Sequence, residues 1–359
     1  MKKRFAMPIF SFHRYLGYYP TPNFEKGKNR HNSLGYRGDE IVMPKPEGEY
    51  RIVCLGGSTT YTSKIEDYQL SYPYLLEKNL IDAGYKNVKV VNAGCSAWSS
   101  MESMINFEIR VLDLDPDMVI VYHGINDVHP RLVWPPSAYR GDGSGSKIPG
   151  IPYIYTPSVF EYSTLIRGVM IKLGLSKPHS AITGILTIPP ETYYGDLFRE
   201  QMIDKIYPSG IFKKISAEQM LMTNQPIYFR RNIENIVILA RENGIKTILA
   251  TFAYSPLFEE LPRAFSKEYR TAYEETNNVL KAVAEKNDVN LFDFAGLFPN
   301  DKRYYTDGRH VSEEGAKLKA KLFAQYIIDN NLIPDEKQNI KGIGSREQQP
   351  YSKIENIDE

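Results

Sequence analysis

Tyr50-Arg-Ile-Val-Cys-Leu55 runs straight into Gly56-Gly-Ser-Thr-Thr60, and the rest of the chain is read from this junction. The apolar run lacks the polar alternation of a half-exposed strand, so it predicts a strand buried on both faces. Two glycines then break it, and a polar Ser-Thr-Thr run opens the next segment. Working outward, the same rhythm recurs. Tyr74, Leu75, Leu80 and Ile81 suit a helix ending near Gly84, and Val88-Lys-Val-Val91 predicts a second strand. Residues 101–112 read as a helix and Met118-Val-Ile-Val-Tyr122 as a third strand. The rhythm resumes with a helix over Ile227–Asn243, a strand over Ile245–Ala250 and a long helix over Lys267–Asn287. A fifth strand, Val289–Phe292, and a closing helix, Ser312–Asn330, capped by Ser312, complete it. Strands alternating with helices predict an α/β fold, a doubly wound parallel sheet of five strands.

Around this core, residues 1–50 carry five prolines and many tyrosines without a clear period and read as an extended arm packed on the body. The core is expected in two pieces, 51–127 and 226–331. Residues 128–225, rich in Pro, Gly and Tyr, form a large insertion after the third strand, too long for a plain loop and read as a lid or wall. Residues 332–359 are polar and read as a mobile tail.

Composition narrows the function. The 359 residues carry 44 basic and 43 acidic side chains, a net charge of +1. That balance removes the electrostatic case for nucleic-acid or anionic-membrane binding. The longest apolar runs are strand-length, far short of the ~20 residues of a bilayer span, so no integral membrane segment is expected. Cys54 and Cys95 sit in apolar runs and read as buried free thiols. Met1–Phe10 begins like a signal peptide but has no sustained apolar stretch, which makes a cytoplasmic location the expectation.

In a parallel sheet, functional groups gather at the C-terminal ends of the strands. Four loops there carry suitable residues: Gly56–Thr60, Asn92–Ser96, His123–Asp127, and the loop holding Asp307-Gly-Arg-His310. Ser58, at a tight strand-to-helix turn, is a candidate nucleophile, and a hydroxyl needs a base to take its proton. His310 is the candidate base and Asp307 the group that fixes its tautomer. The amides of Ser58 and Gly94 with the side chain of Asn126 are candidates for an oxyanion hole. Each loop alone reads as a turn or cap; their joint placement carries the inference. His123, Asp127 and His129 have no metal-ligand spacing, so neither a metal nor any other cofactor is expected. His129 and Arg131 enter the insertion beside Asn126 and are candidates for touching substrate. Trp98 and Trp134 are candidates for a pocket wall.

These segments resemble the blocks of the SGNH (GDSL-type) hydrolase superfamily, esterases and lipases on a flavodoxin-like sheet. Gly56-Gly-Ser-Thr59 is similar to the nucleophile block, Gly94 lies in the glycine block, Gly124-Ile-Asn-Asp127 matches Gly-x-Asn-Asp, and Asp307-Gly-Arg-His310 matches Asp-x-x-His. The resemblance covers residues 51–127 and 226–330. It implies a three-layer α/β sandwich with Ser58 as nucleophile, His310 as base, Asp307 as its orienter, and Gly94 and Asn126 in the oxyanion hole. Gly57 departs from the pattern, standing where an aspartate commonly precedes the nucleophile. Asn32-Ser-Leu-Gly-Tyr-Arg-Gly38 looks like an arm found before the first block in bacterial members, which makes Arg37 a candidate substrate contact. The implied function is a serine ester hydrolase working through an acyl-enzyme, removing a small acyl group such as acetyl from a carbohydrate or similar alcohol. An acyltransferase with the same triad, and a catalytically silent protein binding a carbohydrate or anion, stand as alternatives. The partner expected is a small-molecule or carbohydrate ester; the sequence leaves the oligomeric state open.

Overall fold

The computed structural model describes residues 8–142, 163–173, 175, 215–261 and 266–334; the tail past 334 and most of the insertion lie outside them. The arm is not simply extended. It folds into two small antiparallel hairpins, β1 (Phe10–His13) with β2 (Gly17–Pro20), and β3 (Glu25–Lys26) with β4 (Asn29–Arg30). The core follows in chain order: β5 (Tyr50–Gly56), α1 (Ser58–Tyr61), α2 (Tyr72–Asp82), β6 (Val88–Gly94), α3 (Ser100–Asn106) and β7 (Met118–Tyr122). A π-turn over Phe107–Val111 extends α3, close to the expected helix. After β7 come α4 (Ile125–Val128), α5 (Thr164–Lys172), α6 (Ala217–Thr223), α7 (Ile227–Glu242), β8 (Lys246–Ala250), α8 (Lys267–Asn287), β9 (Asn290–Phe292), α9 (Phe294–Leu297) and α10 (Glu313–Asp329).

Five strands form one parallel sheet in the order β6-β5-β7-β8-β9. Alternate residues face opposite sides. Ile52, Cys54, Met118, Ile120 and Ile248 meet Leu76 and Leu80 of α2 and Ala320, Phe323 and Ile327 of α10. Val53, Leu55, Val119, Val121 and Leu249 meet Phe107 and the Phe229, Ile233, Ile236 and Val237 stripe of α7. The result is the α/β flavodoxin-like sandwich, helices on both faces of a sheet whose central strand β7 is buried along its whole length. Each large apolar side chain buried this way stabilises the fold by roughly 1.5–3 kcal/mol. β5 connects outward to β6 on one side while β7 lies on the other, so the order in which strands are added to the sheet switches sides between β5 and β7. Loops there diverge and leave a crevice. Among the described residues, no helix is long and apolar enough to cross a membrane.

The arm is locked to the core through His31. Its Nδ1 donates to the Thr21 carbonyl (3.0 Å), and its Nε2 accepts from the Tyr61 hydroxyl (2.7 Å) at the end of α1. Burial pushes this imidazole down to about 4 from its ordinary 6.5; the bond to Thr21 opposes the fall and the Arg37 guanidinium adds to it. The folded state therefore holds His31 neutral while the unfolded chain takes up a proton below its own pKa. The stability is fully present above pH 6.5 and is lost as pH falls toward 4. The shift corresponds to about 3 kcal/mol. Urea melts across this window should show wild-type stability declining by that order. His31→Gln, which cannot take the proton, should show a correspondingly flatter decline; parallel curves for the two proteins would rule out His31 as the source.

Candidate active site

The site is built around α1, a single helical turn starting at Ser58 immediately after β5. Two contacts decide its position. A Cβ on Gly94 would run into the backbone nitrogen of Tyr61, so α1 lies flush against β6 only because residue 94 has no side chain. A Cβ on Gly57 would fall 2.5 Å from Asn126 Nδ2 and 2.8 Å from the Trp98 carbonyl. Gly57 thus gives Asn126 its place: the amide lies across the backbone just before Ser58 and donates to Trp98 O at 2.8 Å. An aspartate at this position, as in the pattern from which the chain departs, does not fit this arrangement.

On the other side stands the loop Asp307–His310. Asp307 Oδ1 accepts the backbone amides of Arg309 (3.2 Å) and His310 (2.9 Å), which closes the turn on its own carboxylate. Asp307 Oδ2 accepts His310 Nδ1 at 2.7 Å, and His310 Nε2 lies 2.8 Å from Ser58 Oγ. Ser255 N donates to the Gly308 carbonyl (2.8 Å), tying this loop to the segment after β8. Burial alone would raise the Asp307 carboxyl. The hydrogen bond and charge of His310, then Arg309 and the His310 amide, outweigh it and hold the carboxyl well below the usual carboxylate range. A carboxylate kept ionised can accept only on its side of the ring. The imidazole proton therefore sits on Nδ1, and Nε2 is the acceptor facing the hydroxyl.

Beneath α1 lies a buried lysine. Lys319 of α10 sends Nζ to the Thr59 carbonyl (3.4 Å) and sits 3.6 and 3.9 Å from the ring centroids of Tyr122 and Tyr72. Burial drives this ammonium well below its ordinary range. Thr59 O is one of the carbonyls that a one-turn helix leaves unsatisfied, and Lys319 supplies its donor.

Ser58, Asp307, His310 and Asn126 are thus brought to one crevice, whereas the other candidates fall elsewhere. The Gly94 amide is spent on Asn92 Oδ1 (3.1 Å) inside the sheet, so it is not offered to an oxyanion; that glycine is required by the approach of α1. Arg37 is no surface contact for substrate. It is buried, and its guanidinium donates to Asn29 Oδ1 and to the carbonyls of Tyr61, Thr62, Ile65 and Glu66, clamping the end of α1. Trp98 is 1% exposed, packs on Leu16 and Cys95, and donates its indole N–H to Tyr18 O. Its carbonyl, through Asn126, serves the site, while its ring belongs to the contact with the arm. Trp134 packs against the core, and His129 meets the ring of Tyr269 edge-on. Arg131 bonds to Leu221 O, Asn224 O and Glu275, an internal tie between the start of the insertion and α6. His123 and Asp127 join a buried network with Ser103 and Ser100 that fixes the start of α3. Among the described residues, no group of three or more His, Cys, Asp or Glu is placed to hold a metal ion.

Three contributors escape a reading of the motifs. Ala97 adopts left-handed φ (62°), a non-glycine strain of about 1 kcal/mol or more that turns the chain toward the Trp98 carbonyl, and alanine gives no sign of it. Lys319 has a signal: it lies three positions after Ala316 and four before Phe323 on the buried face of α10. Arg309 sits inside the Asp-x-x-His motif, beside the histidine.

The profile of the GDSL-like lipase/acylhydrolase family matches residues 54–318. The chain belongs to that family and is an enzyme of the ester-hydrolase class. Similar solved structures include a lipase/acylhydrolase from Enterococcus faecalis, 15% identical, covering 78% of this chain and 96% of that one at a TM-score of 0.44. A GDSL-like lipase from Bacteroides thetaiotaomicron is 17% identical, with 81% and 93% covered and a TM-score of 0.42. The acetyl xylan esterase AlAXEase is 14% identical, with 76% and 97% covered and a TM-score of 0.42. No curated protein matches the chain.

The packing at Gly57 has a direct test. Gly57→Ala should displace Asn126 from the Trp98 carbonyl, cost roughly 1–3 kcal/mol of stability and lower ester turnover by about tenfold or more. Thermal melts and kinetics on a chromogenic ester measure both. Full activity in the variant would mean that the Asn126 amide is not held by this contact.

Proposed function

We propose that the protein is a serine esterase working through an acyl-enzyme, with Ser58 as nucleophile, His310 as general base and Asp307 as the group orienting its ring. The observation that carries this reading is the unbroken line from Asp307 Oδ2 through His310 (2.7 Å) to Ser58 Oγ (2.8 Å). In the first half-reaction, Ser58 Oγ attacks the ester carbonyl as His310 Nε2 takes its proton. The same proton then goes to the departing alkoxide, leaving an acyl-serine. A water activated by His310 attacks the acyl-serine, and collapse releases the acid and restores the hydroxyl. The Ser58 amide, at the first position of α1 with no helical partner, and the second N–H of Asn126 Nδ2 are the donors we assign to the oxyanion. For the acyl group and its alcohol we extend the reading to a small acyl, acetyl on a carbohydrate or similar alcohol, on the strength of the family resemblance alone.

Treatment with a fluorophosphonate followed by peptide mapping should give one adduct, on Ser58, absent from Ser58→Ala and from His310→Ala. An adduct elsewhere, or none on folded protein, would sink the assignment. Ser58→Ala and His310→Ala should lower turnover by about three orders of magnitude or more without loss of fold. Asp307→Asn should be nearly as damaging, because an amide can hold the ring in the wrong tautomer.

The acyl and alcohol parts are tested separately. p-Nitrophenyl acetate should be cleaved faster than its octanoate analogue, and acetylated sugars should be deacetylated. Preference for the longer chain would overturn the small-acyl reading. Acyl transfer to an added sugar outpacing hydrolysis would make the enzyme a transferase.

A further inference from the structure

Asp307 has two oxygens, and the structure divides them unequally. Among the described residues, Oδ1 receives backbone N–H groups alone, those of Arg309 and His310. Oδ2 receives two side chains: His310 Nδ1 at 2.7 Å and Arg309 Nη2 at 3.2 Å. The two side chains are equally enclosed, with 11% of each exposed. The charged and titratable groups facing this cluster can be named. Tyr273 of α8 lies within electrostatic reach of both Arg309 and Asp307. Tyr254, after β8, packs on Tyr273 at 4.8 Å and has Arg270 and Glu274 of α8 near it. Ser58 approaches from α1. Arg309 Nε is buried and has no hydrogen-bond partner among the described residues. A guanidinium so enclosed and only partly satisfied is costly to keep. Among the described residues, its charge-paired contact is the oxygen that also serves the imidazole.

We propose that Arg309 is a positioning residue for the hydrolytic reaction: by sharing Asp307 Oδ2 with His310, it holds the carboxylate toward the ring and weakens its pull on the imidazolium. The inference rests on the triad reading above. Its physical content is a competition. A lone carboxylate would stabilise a proton on His310 at full strength. One already paired with a guanidinium stabilises it less, and the like charge of Arg309 opposes it further. The imidazole, sharing its carboxylate oxygen with the guanidinium, is thereby kept as an acceptor for the Ser58 proton. It also returns the proton more readily to a leaving alkoxide.

The test uses full-length protein, wild type and Arg309→Met. The rate of Ser58 labelling by a fluorophosphonate is followed from about pH 4 to 9, and KM and kcat are taken with p-nitrophenyl acetate. The acid limb in Arg309→Met should move to higher pH by roughly one unit, with KM unchanged. Arg309→Lys, which keeps the charge, should recover at least half of the displacement. A role confined to folding would lower the rate at every pH and leave the limb where it is. An unmoved limb in a folded variant therefore overturns the proposal. So does a raised KM with the limb fixed, which would place the guanidinium on the substrate. If Arg309→Met does not fold, Arg309→Gln, which keeps a donor but no charge, carries the same expectation. Failure of wild-type Ser58 to label at all would remove the triad and this proposal with it. Labelling with a fixed limb would remove Arg309 alone.

Discussion

The one-turn helix at Ser58 can lie where it does only because the backbone around it is bare. Gly94 lets the turn rest on the neighbouring strand, and Gly57 lets Asn126 close over the residue before the serine. A helix of one turn has almost no stability of its own, so its geometry has to be imposed from outside. It is gripped from three directions: β6 alongside, Arg37 of the arm at its end, and Lys319 of the last helix beneath. In each case a backbone group of the turn meets either a missing side chain or a buried nitrogen donor. Burying these side chains costs desolvation, which the hydrogen bonds they give to the turn's carbonyls offset in part.

The electrostatic design beside this turn is asymmetric. Lys319 is held by aromatic faces and one carbonyl, with burial pressing it toward neutrality. Asp307, by contrast, gathers four N–H donors and stays charged despite its burial. One side of the serine is therefore shaped by packing and the other by a fixed negative charge. This arrangement separates the groups that hold the serine turn in place from the group that holds the imidazole ring.

The sheet is legible in the sequence because strands buried on both faces leave long apolar runs, and Met118–Tyr122 coincides with the expected strand. The strand expected over Val88–Val91 runs three residues further, to Gly94. Asn92, Ala93 and Gly94 are poor strand formers by composition, and they pair with Cys54, Leu55 and Gly56 for reasons that only the neighbouring strand supplies. The arm is not legible as hairpins, because its strands are two to four residues long and its contacts run from side chain to backbone. Ser58, Asn126, Asp307 and His310 are recognisable by their places after strands. The part of Gly94 is not, because sequence shows that a glycine is needed without showing which atom needs the room. Arg37 misleads for a related reason: five donors on one side chain suit a substrate or a set of buried carbonyls equally well.

Ser58 and His310 lie 252 residues apart. A ribosome making this chain releases the serine, its turn and the clamping arm early, and the histidine only after most of the sheet has been made. The arm, Arg37 included, can settle on the turn at Ser58 while the loop carrying His310 is still being synthesised. Until the last loop closes, the Ser58 hydroxyl lacks its contact with His310 Nε2. The line from Asp307 through His310 to Ser58 therefore forms only once the last loop has docked on a sheet that is otherwise complete.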